Sequence, residues 1–154
     1  MQKQGRYLSF NRFLREKFNG EKTWKIPINA HFGCPNKDGS VSSEGCIYCD
    51  RYSSGMIRTF HLPITEQIEQ FVQGRPERRF LAYFQANSNT HAPVKQLRAA
   101  YETIYQYPNI CGLFLGTRPD AIADDVYPLL EEMNRKTYLC VELGLQSIHS
   151  KSLV

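Results

Sequence analysis

The sequence predicts an α/β protein whose parallel sheet is joined by helical crossovers. Three observations predict it. Short apolar runs alternate with helix-period segments in the order β-α-β-α-β-α-β. The runs are apolar throughout rather than alternating, as in strands covered on both faces. Unusual polar residues follow each run, at the carboxyl ends of strands where such sheets gather their chemistry.

Taken in order, Leu8, Phe10, Phe13, Leu14 and Phe18 recur at near-helical spacing, so residues 7–18 read as an amphipathic helix stopped by Asn19-Gly20. Trp24 to Ala30 reads as the first strand, and a loop over 32–59, rich in Gly, Ser, Asp and Asn, follows it. Thr65 is placed to cap a helix running to Gln73 and ended by Gly74, before a strand over Arg79 to Phe84. Pro93 suits a helix start, with Val94, Leu97, Tyr101, Ile104 and Tyr105 on one face, and Ile110 to Leu115 is the next strand. Asp124 to Arg135 reads as a helix that tolerates Pro128 only in its first turn, and Tyr138 to Leu143 as the last strand. The expected organisation is an N-terminal helical extension, 1–22, and a core, 23–154.

Of the 154 residues, 42% are hydrophobic and 22% charged, which argues against disorder, and no apolar run reaches membrane-spanning length. The N-terminus lacks a signal-peptide pattern, so the expected location is the cytoplasm, with reduced thiols and no membrane partner. The net charge of +4 weakly favours an anionic partner, with solvated basic faces an equal reading.

Cys34, Cys46 and Cys49 form C-x11-C-x2-C in the long loop. An iron–sulfur site made wholly by protein offers four cysteines, so three leave one iron open. A structural zinc site completed by His61 is the alternative, although zinc sites favour paired C-x2-C knuckles. Cys111 and Cys140, inside strands, read as small buried hydrophobes. His31, at a strand end, is a functional candidate, whereas His91 and His149 read as surface residues. Arg118-Pro119-Asp120 fits a salt-bridged turn as well as a ligand contact. Glu142, a carboxylate in an apolar strand, needs a partner or a crevice. Tyr101, Tyr105 and Tyr107 read as packing residues rather than a stacking platform.

Gly33-Cys34-Pro35-Asn36-Lys37-Asp38-Gly39, Gly45-Cys46-Ile47-Tyr48-Cys49, Tyr83 to Thr90, Gly116 to Asp120 and Glu142 to Ser147 together resemble the radical S-adenosylmethionine (SAM) superfamily. The usual spacing there is C-x3-C-x2-C; the longer first gap resembles one incompletely characterised bacterial branch, similar to the Elongator catalytic subunit and to coproporphyrinogen dehydrogenase. The resemblance runs over essentially the whole chain. It implies the N-terminal portion of a partial (β/α)6 barrel, truncated after the fourth strand, because family members run on for roughly another domain. It implies a [4Fe-4S] cluster on Cys34, Cys46 and Cys49, whose open iron binds SAM and whose electron yields a 5′-deoxyadenosyl radical that abstracts a substrate hydrogen. Tyr48, Gln85, Asn87, Thr117, Arg118, Glu142 and Gln146 match cofactor-binding positions, although the segment from Gln85 lacks the family's glycines. An electron donor such as flavodoxin or ferredoxin is implied, and tRNA modification is the leading expectation, with a small-molecule substrate, as in the haem-pathway relative, the second enzyme reading. A zinc-stabilised binding module and a cluster-binding but catalytically incomplete partner subunit are the alternatives.

Overall fold

The computed structural model describes residues 6–47, 49, 59–149 and 151. Four strands, β1 (Thr23–Ile28), β2 (Arg79–Phe84), β3 (Ile110–Thr117) and β4 (Tyr138–Leu143), form one sheet in the order β1-β2-β3-β4, every neighbouring pair parallel. Helix α1 (Phe10–Lys17) precedes β1; α2 (Ile64–Val72), α3 (Val94–Glu102) and α4 (Tyr127–Lys136) lie in the three crossovers. The α/β class with a parallel sheet and helical crossovers is thus the architecture observed.

Several boundaries differ from expectation. Residue 63, not Thr65, sits at the start of α2: Pro63 is the N-cap and makes no side-chain cap. Pro93 is likewise the N-cap of α3 rather than a helical residue, and the segment continues as a 3-10 turn over Thr103–Gln106. The helix expected from Asp124 begins as a 3-10 turn, Asp124–Val126, and becomes α-helical at Tyr127, which leaves Pro128 in the first turn where its missing N–H costs nothing. Ser9 caps α1 by accepting the Arg12 N–H at 3.3 Å, and Gly74, at φ 70°, follows the end of α2.

Sequential strand order with parallel pairing places every crossover on one side. Accordingly Ile26, Ile28, Ala82, Phe84, Leu113 and Leu115 point one way and share a single core with Ile68, Leu97, Tyr101, Leu129 and Met133 of the crossovers. The opposite face carries Leu81, Tyr83, Phe114, Tyr138 and Cys140, and α1 lies against it through Phe13 and Leu14, with Phe18 following. Phe10 meets Phe114 edge-on at 6.1 Å and Phe18 meets Tyr138 at 5.5 Å. Edge position explains why β4 is only half buried, contrary to the expectation of a wholly buried run.

One buried polar residue anchors the end of β1. Gln67 is fully buried; its Oε1 accepts the Asn29 N–H at 2.9 Å and its Nε2 donates to the carbonyls of Asn29 at 2.9 Å and Leu62 at 2.8 Å. Gln67→Leu leaves those backbone groups unpaired in the interior, and urea denaturation is expected to show a loss of about 2 to 3 kcal/mol.

Candidate functional site

A cavity of about 850 Å³ opens at the carboxyl ends of the strands, where the four following loops meet. The first loop leaves β1 through His31, exposed and left-handed at φ 57°, its N–H taken by Asn29 Oδ1 at 2.8 Å. His31 does not line the cavity. The loop then folds back on itself: the Lys37 and Asp38 N–H groups donate to the Cys34 carbonyl, at 2.8 and 3.1 Å, and the Cys49 N–H to that of Cys46 at 2.9 Å.

Cys34, Cys46 and Cys49 all line the cavity; Cys34 is buried, Cys46 half-buried and Cys49 exposed. Among the described residues no group of three or more His, Cys, Asp or Glu side chains is gathered as it would be around a metal ion. The thiols share a wall and an electrostatic field. Burial and the neighbouring Cys46 push the Cys49 thiol up, against the pull of Lys37. Two sulfurs take hydrogen bonds: Asn36 Nδ2 donates to Cys46 Sγ at 2.9 Å and the buried Ser88 hydroxyl to Cys34 Sγ at 3.7 Å. Asn36 Oδ1 is buried and has no partner among the described residues.

The loop after β2 ties the cysteine loop to the sheet. Asn87 Nδ2 donates to the Phe32 carbonyl at 2.9 Å, and the Ser88 N–H to that of Gly33 at 3.1 Å. Asn87 is left-handed at φ 59°, a conformation to which asparagine is suited. Its neighbour Asn89, fully buried, donates to the carbonyls of Phe84 at 3.0 Å and Gly116 at 2.8 Å, fastening β2 to β3. Thr90 Oγ1 lies 2.6 Å from both the Ala121 carbonyl and Thr117 Oγ1. One proton per hydroxyl settles the direction: Thr90 donates to Ala121, and Thr117 donates to Thr90.

Arg118 and Asp120 make the salt-bridged turn and line the cavity as well, through a two-pronged pair at 2.8 and 2.6 Å. Asp120, with the Cys34 and Cys46 sulfurs nearby, holds the guanidinium protonated, and Arg118 holds the Asp120 carboxyl below its ordinary range. His91, expected at the surface, instead lies against Gly33 and meets Asp38 Oδ2 through Nε2 at 2.6 Å. A β-carbon at Gly33 would sit 3.1 Å from the His91 ring, so glycine there permits the approach.

On the face covered by α1, Glu142 has both expected features, a partner and a crevice. Lys25 Nζ lies 3.0 Å from Glu142 Oε1, and the Tyr83 hydroxyl donates to Oε2 at 2.7 Å. The lysine passes 3.8 Å from the Tyr83 ring centre and 4.7 Å from that of Phe10. Burial and the Glu142 carboxylate push the Tyr83 phenol up. Lys25 is on β1 and Glu142 on β4, three strand spacings apart, about 14 Å in a flat sheet. The register sets Lys25 level with Tyr138, four residues before Glu142, and the two long side chains meet over the rings of Tyr83 and Phe114.

Gln146, at φ 60°, follows β4; its Nε2 lies 2.7 Å from where a β-carbon on Gly144 would sit, so a larger residue there would shift this amide. Gln85, Asn87, Thr117, Arg118, Glu142 and Gln146 all line the cavity, and Tyr48 lies outside the described residues. His61 is exposed and away from the cavity. Sequence reasoning missed Lys25, Asn36 and Gln67: a lysine within an apolar strand was the available signal for the first, and nothing local marked the other two.

No family model matches the chain, and no solved structure matches it. It is 40% identical to an uncharacterised protein, YtqA, of Bacillus subtilis, an alignment covering 96% of this chain and 47% of that protein. It is 40% identical to protein YhcC of Escherichia coli K12 over 87% of this chain and 44% of the relative. With the uncharacterised protein MJ0486 of Methanocaldococcus jannaschii the identity is 30%, over 96% of this chain and 46% of that protein. The chain therefore spans under half the length of the curated relatives it matches. Among the described residues no helix is long and apolar enough to cross a membrane.

Two outcomes follow from this geometry. Lys25→Met strands the Glu142 carboxylate and removes the cation from its aromatic seat; a chemical melt is expected to show a loss of about 1 kcal/mol, with Lys25→Arg retaining part of it. Hydrogen bonds from Ser40, then from His91, hold the Asp38 carboxyl down to about 2 from its ordinary 3.8. Its folded value is the lower one, so its contribution is complete above 3.8 and is lost as pH falls through about 2. Amide chemical shifts of the cysteine loop should titrate there, and should not in Asp38→Asn.

Proposed function

We propose that this chain is the N-terminal part of a partial (β/α)6 radical SAM barrel that binds a [4Fe-4S] cluster through Cys34, Cys46 and Cys49, with S-adenosylmethionine beside it. The observation that carries the reading is the meeting of those three thiols with Gln85, Asn87, Thr117, Arg118, Glu142 and Gln146 around one cavity.

Three features of the chain support the reading. Three sulfurs without a fourth protein ligand suit a cluster that keeps one iron open, and a volume of about 850 Å³ lies within the range of cofactor pockets. A parallel sheet in sequential strand order, with all crossovers on one side, suits one part of a barrel. When bound, the cluster supplies the electron that cleaves SAM to methionine and the 5′-deoxyadenosyl radical.

The chain's own residues supply position and charge. Lys37 opposes the upward push on the Cys49 thiol, and Arg118 lies in the field of the Cys34 and Cys46 sulfurs. Ser88 and Asn36 orient two of the sulfurs by hydrogen bonds. Glu142, fixed at both oxygens, retains lone pairs that can accept hydrogen bonds from hydroxyl or amino groups of a ligand. Transfer RNA is the proposed source of the abstracted hydrogen, supported by the net charge of +4, and a flavodoxin- or ferredoxin-type protein the electron donor; both act in the cytoplasm on this reading.

Anaerobic reconstitution tests the proposal. About four iron atoms and matching sulfide per chain, a brown absorption spectrum, loss of both in Cys46→Ala and a spectral change on adding SAM are the expected results. A colourless protein that takes up zinc and binds no SAM would overturn it in favour of a zinc-stabilised module.

A further inference from the structure

Eleven residues separate Cys34 from Cys46, yet the two ends of this gap meet at one residue. Asn36 holds the far end twice. Its backbone carbonyl accepts the Gly45 N–H at 2.7 Å, and its side-chain amide donates to Cys46 Sγ at 2.9 Å. Between these points the chain closes on itself: the Pro35 carbonyl accepts from Val41 at 2.8 Å and from Ser42 at 3.2 Å, and the Gly39 N–H donates to the Ser42 carbonyl at 3.2 Å. The inserted residues therefore form a compact loop with its ends together. Gly45, at φ 79°, lets the chain turn back toward Asn36. Asn36, Cys34 and Cys46 line the same cavity.

We propose that Asn36 is a positioning residue that clamps Cys46 beside Cys34 across the long gap and, resting on the iron–sulfur reading above, tunes the cluster by donating its amide N–H to a ligating sulfur. An N–H aimed at a ligating sulfur stabilises negative charge there, and hydrogen bonds to sulfur are among the factors that set cluster potentials. The Gly45 link uses only backbone atoms, so Asn36→Leu removes the donor and leaves the loop closure in place.

Two measurements test this. In metal-free, ¹⁵N-labelled protein the side-chain amide resonances of Asn36 should move in Cys46→Ala and stay in Cys49→Ala. In reconstituted protein the midpoint potential, followed by electron paramagnetic resonance, should become more negative in Asn36→Leu and return toward the wild-type value in Asn36→Gln, which restores a donor. Resonances indifferent to Cys46→Ala would overturn the clamp, and a potential unchanged in Asn36→Leu would overturn the tuning. Failure of the wild-type protein to take up iron and sulfide would overturn the functional reading and the tuning together, while the resonance measurement still decides the clamp.

Discussion

At the rim of the sheet the buried amide of Asn89 donates to the ends of β2 and β3, while its backbone carbonyl takes the hydroxyl of the fully buried Tyr101 on α3. Two strands and a crossover are fastened by one residue, and the cavity wall is built outward from it. Thr90, the next residue, engages Thr117 and Ala121, and the Thr117 carbonyl in turn accepts the Gly144 N–H at 2.9 Å. The loops after the second, third and fourth strands therefore form one hydrogen-bonded unit. Backbone groups freed at the end of a strand need partners in the interior, and here they find them in the side chains of Asn89 and Thr90 and in one another. That leaves Gln85, Arg118 and Gln146 lining the cavity instead of serving the scaffold.

The cysteine loop joins this unit through a different set of bonds. Asn87 and Ser88 hold it from the β2 side and Gln67 holds the exit of β1, whereas Asp38 and His91 meet on its outer flank. Its shape is thus determined at several separate points. A segment so tied can hold Cys34 in a fixed place, which is what a site assembled around an incoming group requires.

How far the sequence anticipated this depends on the range of the interaction concerned. Strands β2 and β4 were legible to the residue because their apolar runs are short and bounded by breakers. Helix starts were less so: Thr65 has the right chemistry for a cap, but the prolines at 63 and 93 already fix an extended entry, and the helix begins behind them. The cavity lining was legible because parallel topology brings every strand-end loop to one side. Side-chain partnerships were not. Glu142 announced that it needed a partner, but Lys25 lies 117 positions away, and only the assembled sheet brings it near. His91 looked like a surface residue because its partner, Asp38, approaches from another loop. Asn36 and Gln67 carry no local pattern at all; their roles exist only once distant backbone groups have been placed.

The pair formed by Lys25 and Glu142 spans the sheet from its first strand to its last. It ties the two edge strands to each other, and its carboxylate stands in the cavity wall. Because it is a contact between opposite charges that are still partly open to solvent, dissolved ions weaken it. The tie between the two edge strands is then firmer in dilute buffer and slacker in brine.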